Sequence, residues 1–231
     1  MKTHSPLAAS KVEPFAASPL DLLRVEPRHL MVFIKKLGRP VFTTHELTAI
    51  SGKSASTVVQ CLNRLARQGL LVKVYRGVWA QTGPRPLSAF EIIPCLFPRR
   101  RVYVSFITAL HLHGIIEQIP RVITLASLSH SQMIRTAAGT FSIHQIAPVL
   151  FDGFDWYKGD GNFLIAEPEK ALIDSLYLSS RKKKQFGHFP ELHFPPEFSF
   201  KKAQRWAERI PEEKIRLYVL KKLETLKLSL P

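Results

Sequence analysis

Cysteine is nearly absent from these 231 residues. The two thiols, Cys61 and Cys95, are too few for a disulfide framework and stand in no metal-type spacing. A reducing cytoplasm is therefore the compartment to expect. Long apolar runs are missing too, since none approaches the roughly 18 residues that a membrane span requires. The opening stretch MKTHSPLAASKVEPFAAS has no apolar h-region, which argues against a secretory signal. Glu13 and Asp21 make a transit peptide unattractive as well. No segment repeats at a period of about 20–50 residues, which excludes a solenoid or propeller. A glycine-rich phosphate loop is also lacking, because Gly159-Asp160-Gly161 has no helix after it.

Acids are scarce beside bases: 18 Asp and Glu stand against 33 Lys and Arg, a net charge of +15. The excess is uneven. Residues 1–80 hold 12 bases and 4 acids, whereas residues 81–231 hold 21 and 14, so the surplus is about twice as dense per residue in the first third. A surplus of that kind suits a polyanionic partner, whose condensed counterions are released on binding. Hydrophobic content of 45% with mean hydropathy near zero indicates a globular chain with a real core, in one large or two modest domains.

The most informative stretch runs from Arg39 to Ala80. Thr43 and Glu46 have capping-box spacing, which predicts a helix starting there. Gly52 breaks the chain, and Ser54 can cap a second helix running to about Gln68. On that helix Val58, Leu62 and Leu65 recur at i, i+4 and i+7 and give one buried face, with Cys61 at its edge. Ser56, Thr57, Gln60, Asn63, Arg64 and Arg67 fall off that face. They are donors, acceptors and cations of the kind used at base edges and phosphates. Leu70–Ala80 then alternates as a hairpin with Lys73, Tyr75 and Arg76 beside Gly77. A winged helix-turn-helix is the expected fold here. Its predicted DNA-binding residues are Lys53, Ser54, Ser56, Thr57, Gln60, Arg64, Arg67, Lys73 and Arg76. Ser56, Thr57 and Gln60 are assigned to base edges, Lys53, Arg64 and Arg67 to phosphates, and Arg76 to the wing.

Before this motif, residues 1–26 read as a flexible Ala/Ser/Pro-biased extension. A first helix starts near Leu20 or after Pro27 and runs through Leu30, Val32, Phe33 and Leu37. The winged domain is expected over 27–82. A proline-punctuated linker over 83–101 follows, anchored by Phe90, Ile92, Ile93 and Phe97 but with no continuous helix. A mixed α/β domain fills 102–231. There, Ser105 should cap a helix ending near Gly114. Val122–Ser129 and Thr140–Ile146 read as an antiparallel strand pair, and Asn162–Ala166 as a third strand. Pro168 opens a helix to about Leu178, with Ala171, Leu172, Ile173, Leu176 and Tyr177 inward. Phe200–Leu228 is helical with one break at Pro211. The overall class is α+β.

The second half resembles the AbiEi antitoxins, transcriptional regulators of abortive-infection operons. The likeness lies in YVSFITALHLHGIIEQIP (103–120), VITLAS (122–127), GTFSIHQIAPVLFDGF (139–154) and FLIAEPEKALIDSLYL (163–178). FPELHFPPEFSFKKAQRWAERI (189–210) resembles the family's closing region, and the likeness extends over about Val41 to Leu220, winged helix included. The resemblance implies a repressor that binds inverted repeats in its own promoter through the winged helix. It also implies an adjacent nucleotidyltransferase-like toxin that the carboxy-terminal domain counters, commonly without a stable complex. The chain lacks Gly-Ser with paired aspartates, so it is not that toxin itself. The longer amino-terminal extension departs from the family pattern.

Catalytic chemistry finds little support. His111 and His113, two apart on a helix, point to different faces and read as one core and one surface histidine. Asp152 and Asp155 flank a Gly-Phe turn, where aspartate bonds local backbone. Glu167, Glu169 and Lys170 invite a nuclease reading, but acids in a first turn follow from the helix dipole, and no matching carboxylate lies upstream on a convincing strand. The expectation is therefore a non-enzyme without cofactor or metal, with double-stranded DNA as partner, a toxin as second partner, and no membrane. The basic runs Arg99–Arg101 and Arg181–Lys184 read as solvated charge or as extra phosphate contacts. The rival reading is an antitoxin that neutralises by direct protein contact, with the winged helix as docking face.

Overall fold

Alternation of side chains along three short strands sets the architecture of the amino-terminal half. A computed structural model describes residues 27–159, 161–181 and 190–228. The expectations for residues 1–26, Asp160 and Lys182–Lys184 lie outside these. Helix α1 (Pro27–Lys36) is followed by β1 (Val41–Thr43), α2 (Thr44–Ser51), α3 (Ala55–Arg67), β2 (Leu71–Tyr75) and β3 (Val78–Gln81). The strands form an antiparallel sheet in the order β1-β3-β2. Phe42, Leu71 and Trp79 point to one face, into a core with Leu30 and Ile34 of α1, Leu47 of α2, and Val58, Leu62 and Leu65 of α3. Val41, Val74, Val78 and Ala80 point to the other face and join the core of the carboxy-terminal half. One small sheet is thus shared by two cores. On α1 the inward pair is Leu30 and Ile34, while Val32 is exposed.

The 83–101 segment is a packed strap. Ser88 and Glu91 form a capping box on a 3-10 turn, Ala89–Ile92, which passes into the short helix α4 (Ile93–Leu96) with Pro94 in its first turn. Proline is tolerated there because the amide it removes has no intrahelical partner. Ile92, Ile93 and Phe97 are buried, as expected of anchors.

Beyond the strap come β4 (Val102–Val104), α5 (Phe106–Leu112), β5 (Ile123–Ser127), β6 (Gln132–Thr136), β7 (Gly139–Gln145), β8 (Phe154–Trp156) and β9 (Leu164–Ala166). They are followed by α6 (Pro168–Ser180), α7 (Phe200–Glu208) and α8 (Glu213–Leu228). The six strands form a mixed sheet in the order β6-β7-β5-β4-β9-β8. Helix α5 ends where Gly114 takes φ +71°, a left-handed stop that glycine makes without steric cost.

Three expectations are corrected here. The two strands read as an antiparallel pair, β5 and β7, are parallel. The polar segment between them contains β6, which turns back on β7 through Ala137 and Ala138. The chain therefore runs out to the sheet edge and returns between its own strands, which brings β7 alongside β5 in the same direction. Like β6, the strands β4 and β8 were not anticipated. Ser105 occupies the cap position of α5 without capping it, because its hydroxyl donates instead to Asp174 at 2.7 Å.

Candidate nucleic-acid interface

The turn between α2 and α3 is built from local chemistry. Thr43 Oγ1 accepts the Glu46 amide at 3.1 Å, and Glu46 returns a carboxylate oxygen to the Thr43 amide at 2.8 Å. Arg39 pairs with the same carboxylate. Burial pushes the Glu46 carboxyl up, but the Thr43 amide and hydroxyl together with Arg39 more than reverse this and hold it below the ordinary range. Helix α2 ends at Gly52, whose φ of +62° reverses the chain within a few residues. Ser54 then starts α3, its Oγ accepting the Thr57 amide at 3.2 Å.

Helix α3 packs with Val58, Cys61, Leu62 and Leu65 and leaves a polar face in water. Ser56, Gln60, Asn63, Arg64 and Arg67 are exposed on it, and Thr57 is half-buried at its start. The hydroxyls of Ser54, Ser56 and Thr57 cluster at the helix origin, with Ser54 Oγ 2.9 Å from Ser56 Oγ and 2.8 Å from Thr57 Oγ1. Ser54 is thus occupied as a cap, and the other two hydroxyls must rotate to serve a ligand. Lys53 is exposed in the preceding turn.

The wing is short. Arg76 and Gly77 alone join β2 to β3, and the Gly77 carbonyl accepts the Thr44 amide at 2.8 Å, which pins the turn to the start of α2. Trp79 Nε1 donates to Thr44 Oγ1 at 3.0 Å, and Lys73 Nζ lies 5.6 Å from the Trp79 ring centroid. A bulge at Val74 interrupts the β2–β3 register, and the Val74 carbonyl accepts the Ala137 amide of the β6–β7 turn at 3.1 Å. The wing is therefore bonded to the carboxy-terminal sheet, which holds its orientation.

Charge on this surface is of one sign. Between Glu46 and Glu91 the chain has no acidic residue and six cations: Lys53, Arg64, Arg67, Lys73, Arg76 and Arg85. Arg85 pairs with Glu91. Lys53, Arg64, Arg67 and Arg76 have no ion pair among the described residues. All nine predicted contact residues thus lie on α3, the turn before it or the wing hairpin. Two open clefts, of about 580 and 320 Å³, flank the 81–87 segment. The arginines bordering them, Arg39 and Arg85, are engaged by Glu46 and Glu91.

Titratable groups elsewhere are turned inward. Lys170 and Asp174, one helical turn apart on α6, form a fully buried ion pair. The Tyr103 hydroxyl donates to Asp174 Oδ2 at 3.0 Å and accepts from Lys170 Nζ at 3.0 Å. Burial draws the Lys170 ammonium below its usual range against the pull of Asp174, and burial together with Asp174 pushes the Tyr103 phenol well up. Glu169 accepts the Ser199 amide at 3.0 Å and lies 3.3 Å from Lys202 Nζ. Glu169 and Lys170 therefore face different partners and share no ligand site. This network was missed because its parts come from β4, the residue after it, and α6, about 70 positions apart. The i, i+4 spacing of Lys170 and Asp174 was the one local signal. His111 and His113 are both half-buried and bonded to the Ile116 and Ala166 carbonyls, which corrects the core-and-surface reading. Asp152 and Asp155 accept the amides of the next residues, as expected of turn aspartates.

Three helices on a three-stranded sheet, with α3 presenting a polar face beside a two-residue wing, make the amino-terminal half a winged helix-turn-helix. Residues 34–80 match the model of a family described as "Transcriptional regulator, AbiEi antitoxin". The match runs from within α1 to the middle of β3, so the AbiEi resemblance holds over the winged helix. The carboxy-terminal segments that carry the same likeness lie outside it. No curated protein matches the chain. Among the described residues, no helix is long and apolar enough to cross a membrane.

Proposed function

We propose that this protein is a sequence-specific DNA-binding repressor and antitoxin, with α3 as the helix that enters the major groove. The observation that carries this reading is the solvent face of α3. It has hydrogen-bonding side chains near its start, arginines toward its end, and no acid to repel phosphate. Ser56, Thr57 and Gln60 would meet base edges near the start of the helix. Lys53, Arg64 and Arg67 would hold phosphates, and the amides at the start of α3 add a favourable dipole for an anion. Arg76 at the pinned wing would meet the flanking backbone. The domain division proposed is a winged helix at 27–82, a strap at 83–101 and an antitoxin domain at 102–231.

The family matched by residues 34–80 supports regulation and antitoxicity together. Repression of the protein's own operon through inverted repeats, and opposition to a nucleotidyltransferase-type toxin, extend that description. A promoter–reporter fusion tests the first part, with repression expected from the wild type and lost in Arg67→Ala/Arg76→Ala. Unchanged repression by that variant would remove α3 and the wing from the mechanism. Co-expression with the product of the neighbouring gene tests the second part, with rescue of growth expected even from the repression-defective variant.

A further inference from the structure

We infer that the β4–β8 end of the carboxy-terminal sheet is a second nucleic-acid site, built for a single strand rather than a duplex. Arg99, Arg100 and Arg101 lead into β4, and all three are exposed. None has an acidic partner among the described residues. Arg101 lies 5.8 Å from the Phe154 ring centroid, so its guanidinium is directed over β8. Strand β4 is parallel to β9, and β8 is antiparallel to β9. Residues later in β8 therefore lie nearer the end where the arginines enter. Trp156 is two residues beyond Phe154, on the same side of the strand. It is 56% exposed, whereas Trp79 and Trp206, the other two tryptophans, are buried. Lys158 follows, exposed and without an ion pair among the described residues. Asp155 alternates to the opposite side, its Oδ1 engaged by the Trp156 amide.

A large exposed indole beside unpaired cations has a specific chemical complement. Cations hold the phosphates and the indole stacks on a base, the pairing used by proteins that bind single strands. A duplex offers the phosphates but keeps its base faces stacked on one another. An acidic protein segment would use the arginines and leave the indole in water. Single-stranded nucleic acid, RNA or unpaired DNA, uses both.

The test uses the full chain and two probes, short oligothymidylate and oligouridylate, followed by fluorescence anisotropy and by tryptophan emission. The expected result is salt-sensitive binding that quenches emission, since Trp156 is the exposed indole. Trp156→Ala should weaken binding roughly tenfold or more and abolish the quench, and Trp156→Phe should restore most of the affinity. Arg99→Ala/Arg100→Ala should weaken binding and flatten its salt dependence. Arg67→Ala/Arg76→Ala should leave it unchanged, so this site and the winged helix can fail separately. The preferred probe tells RNA from DNA. Absence of binding to either probe, wild-type affinity in both Trp156→Ala and the arginine variant, or loss of binding only with the winged-helix variant would overturn the inference.

Discussion

Helices α3 and α6 are each 13 residues long, and each carries charge on an otherwise globular scaffold. Helix α3 buries one stripe and leaves its arginines in water, without acidic partners among the described residues. Helix α6 is buried from Glu169 to Leu178 and encloses its lysine against its aspartate. The difference lies in what surrounds each helix. One face of α3 rests on α1, α2 and β2, whereas α6 is packed by α5, α7 and α8. Charge on the first is available to a partner, while charge on the second organises the interior. The cations open to a ligand are therefore those of α3, even though the more unusual ionic chemistry belongs to α6.

The sharpest way to break this contrast is to remove one member of the buried pair. Asp174→Ala strands the Lys170 ammonium in the core and should cost about 3–5 kcal/mol of stability. Urea unfolding measures it, and a loss no larger than that of a surface substitution would contradict the placement of α6. A smaller effect, on binding rather than stability, is expected on α3. Gln60→Ala should lose about 1–3 kcal/mol on the preferred sequence and little on random DNA. Arg67→Ala should weaken both alike and lower the salt slope by about one. Equal behaviour of the two variants would erase the division between base reading and phosphate holding.

The cap of α3 sets a third, smaller effect. Ser54→Ala removes the acceptor for the Thr57 amide and should cost about 1 kcal/mol in thermal or urea unfolding. The smallest effect is on pH dependence. Glu46 is held below its ordinary range in the folded state, so its contribution is fully present above the unfolded value, roughly pH 4.3. That contribution is lost as pH falls through the lower folded value. Wild-type stability should fall more steeply over that acid window than that of Glu46→Gln. Parallel curves would mean that the capping box does not outweigh the burial of the carboxylate.

The amino-terminal half was legible because its signals are local. Thr43–Glu46, Gly52, Ser54 and the Val58–Leu62–Leu65 stripe each act within a few residues, and each occurs where expected. The nine residues proposed to meet DNA lie on the elements where the sequence put them, and those on α3 other than the half-buried Thr57 are exposed as the helical spacing predicts. The carboxy-terminal half was less legible because its sheet depends on distant pairing. Val102–Val104 and Phe154–Trp156 are three-residue strands, too short to show a period. Gln132–Thr136 is an edge strand with a largely exposed pattern, so it resembles a loop. Its existence decides whether β5 and β7 are antiparallel or parallel. Ser105 shows the same limit, since the capping preference of serine was outcompeted by a buried carboxylate 69 positions away. The strap was half legible, in that its apolar anchors were foreseen and its Ser88–Glu91 capping box was overlooked.

The most direct test of the account is a gel-shift titration on the DNA upstream of the protein's own gene. It should be run at two salt concentrations with unrelated DNA as competitor, using the wild type and Arg67→Ala/Arg76→Ala. The account predicts a shift that resists competitor, weakens with salt and disappears in the double variant. A salt-sensitive shift with no preference for that DNA, or a specific shift that survives in the double variant, would contradict the assignment of α3 and the wing as the reading surface.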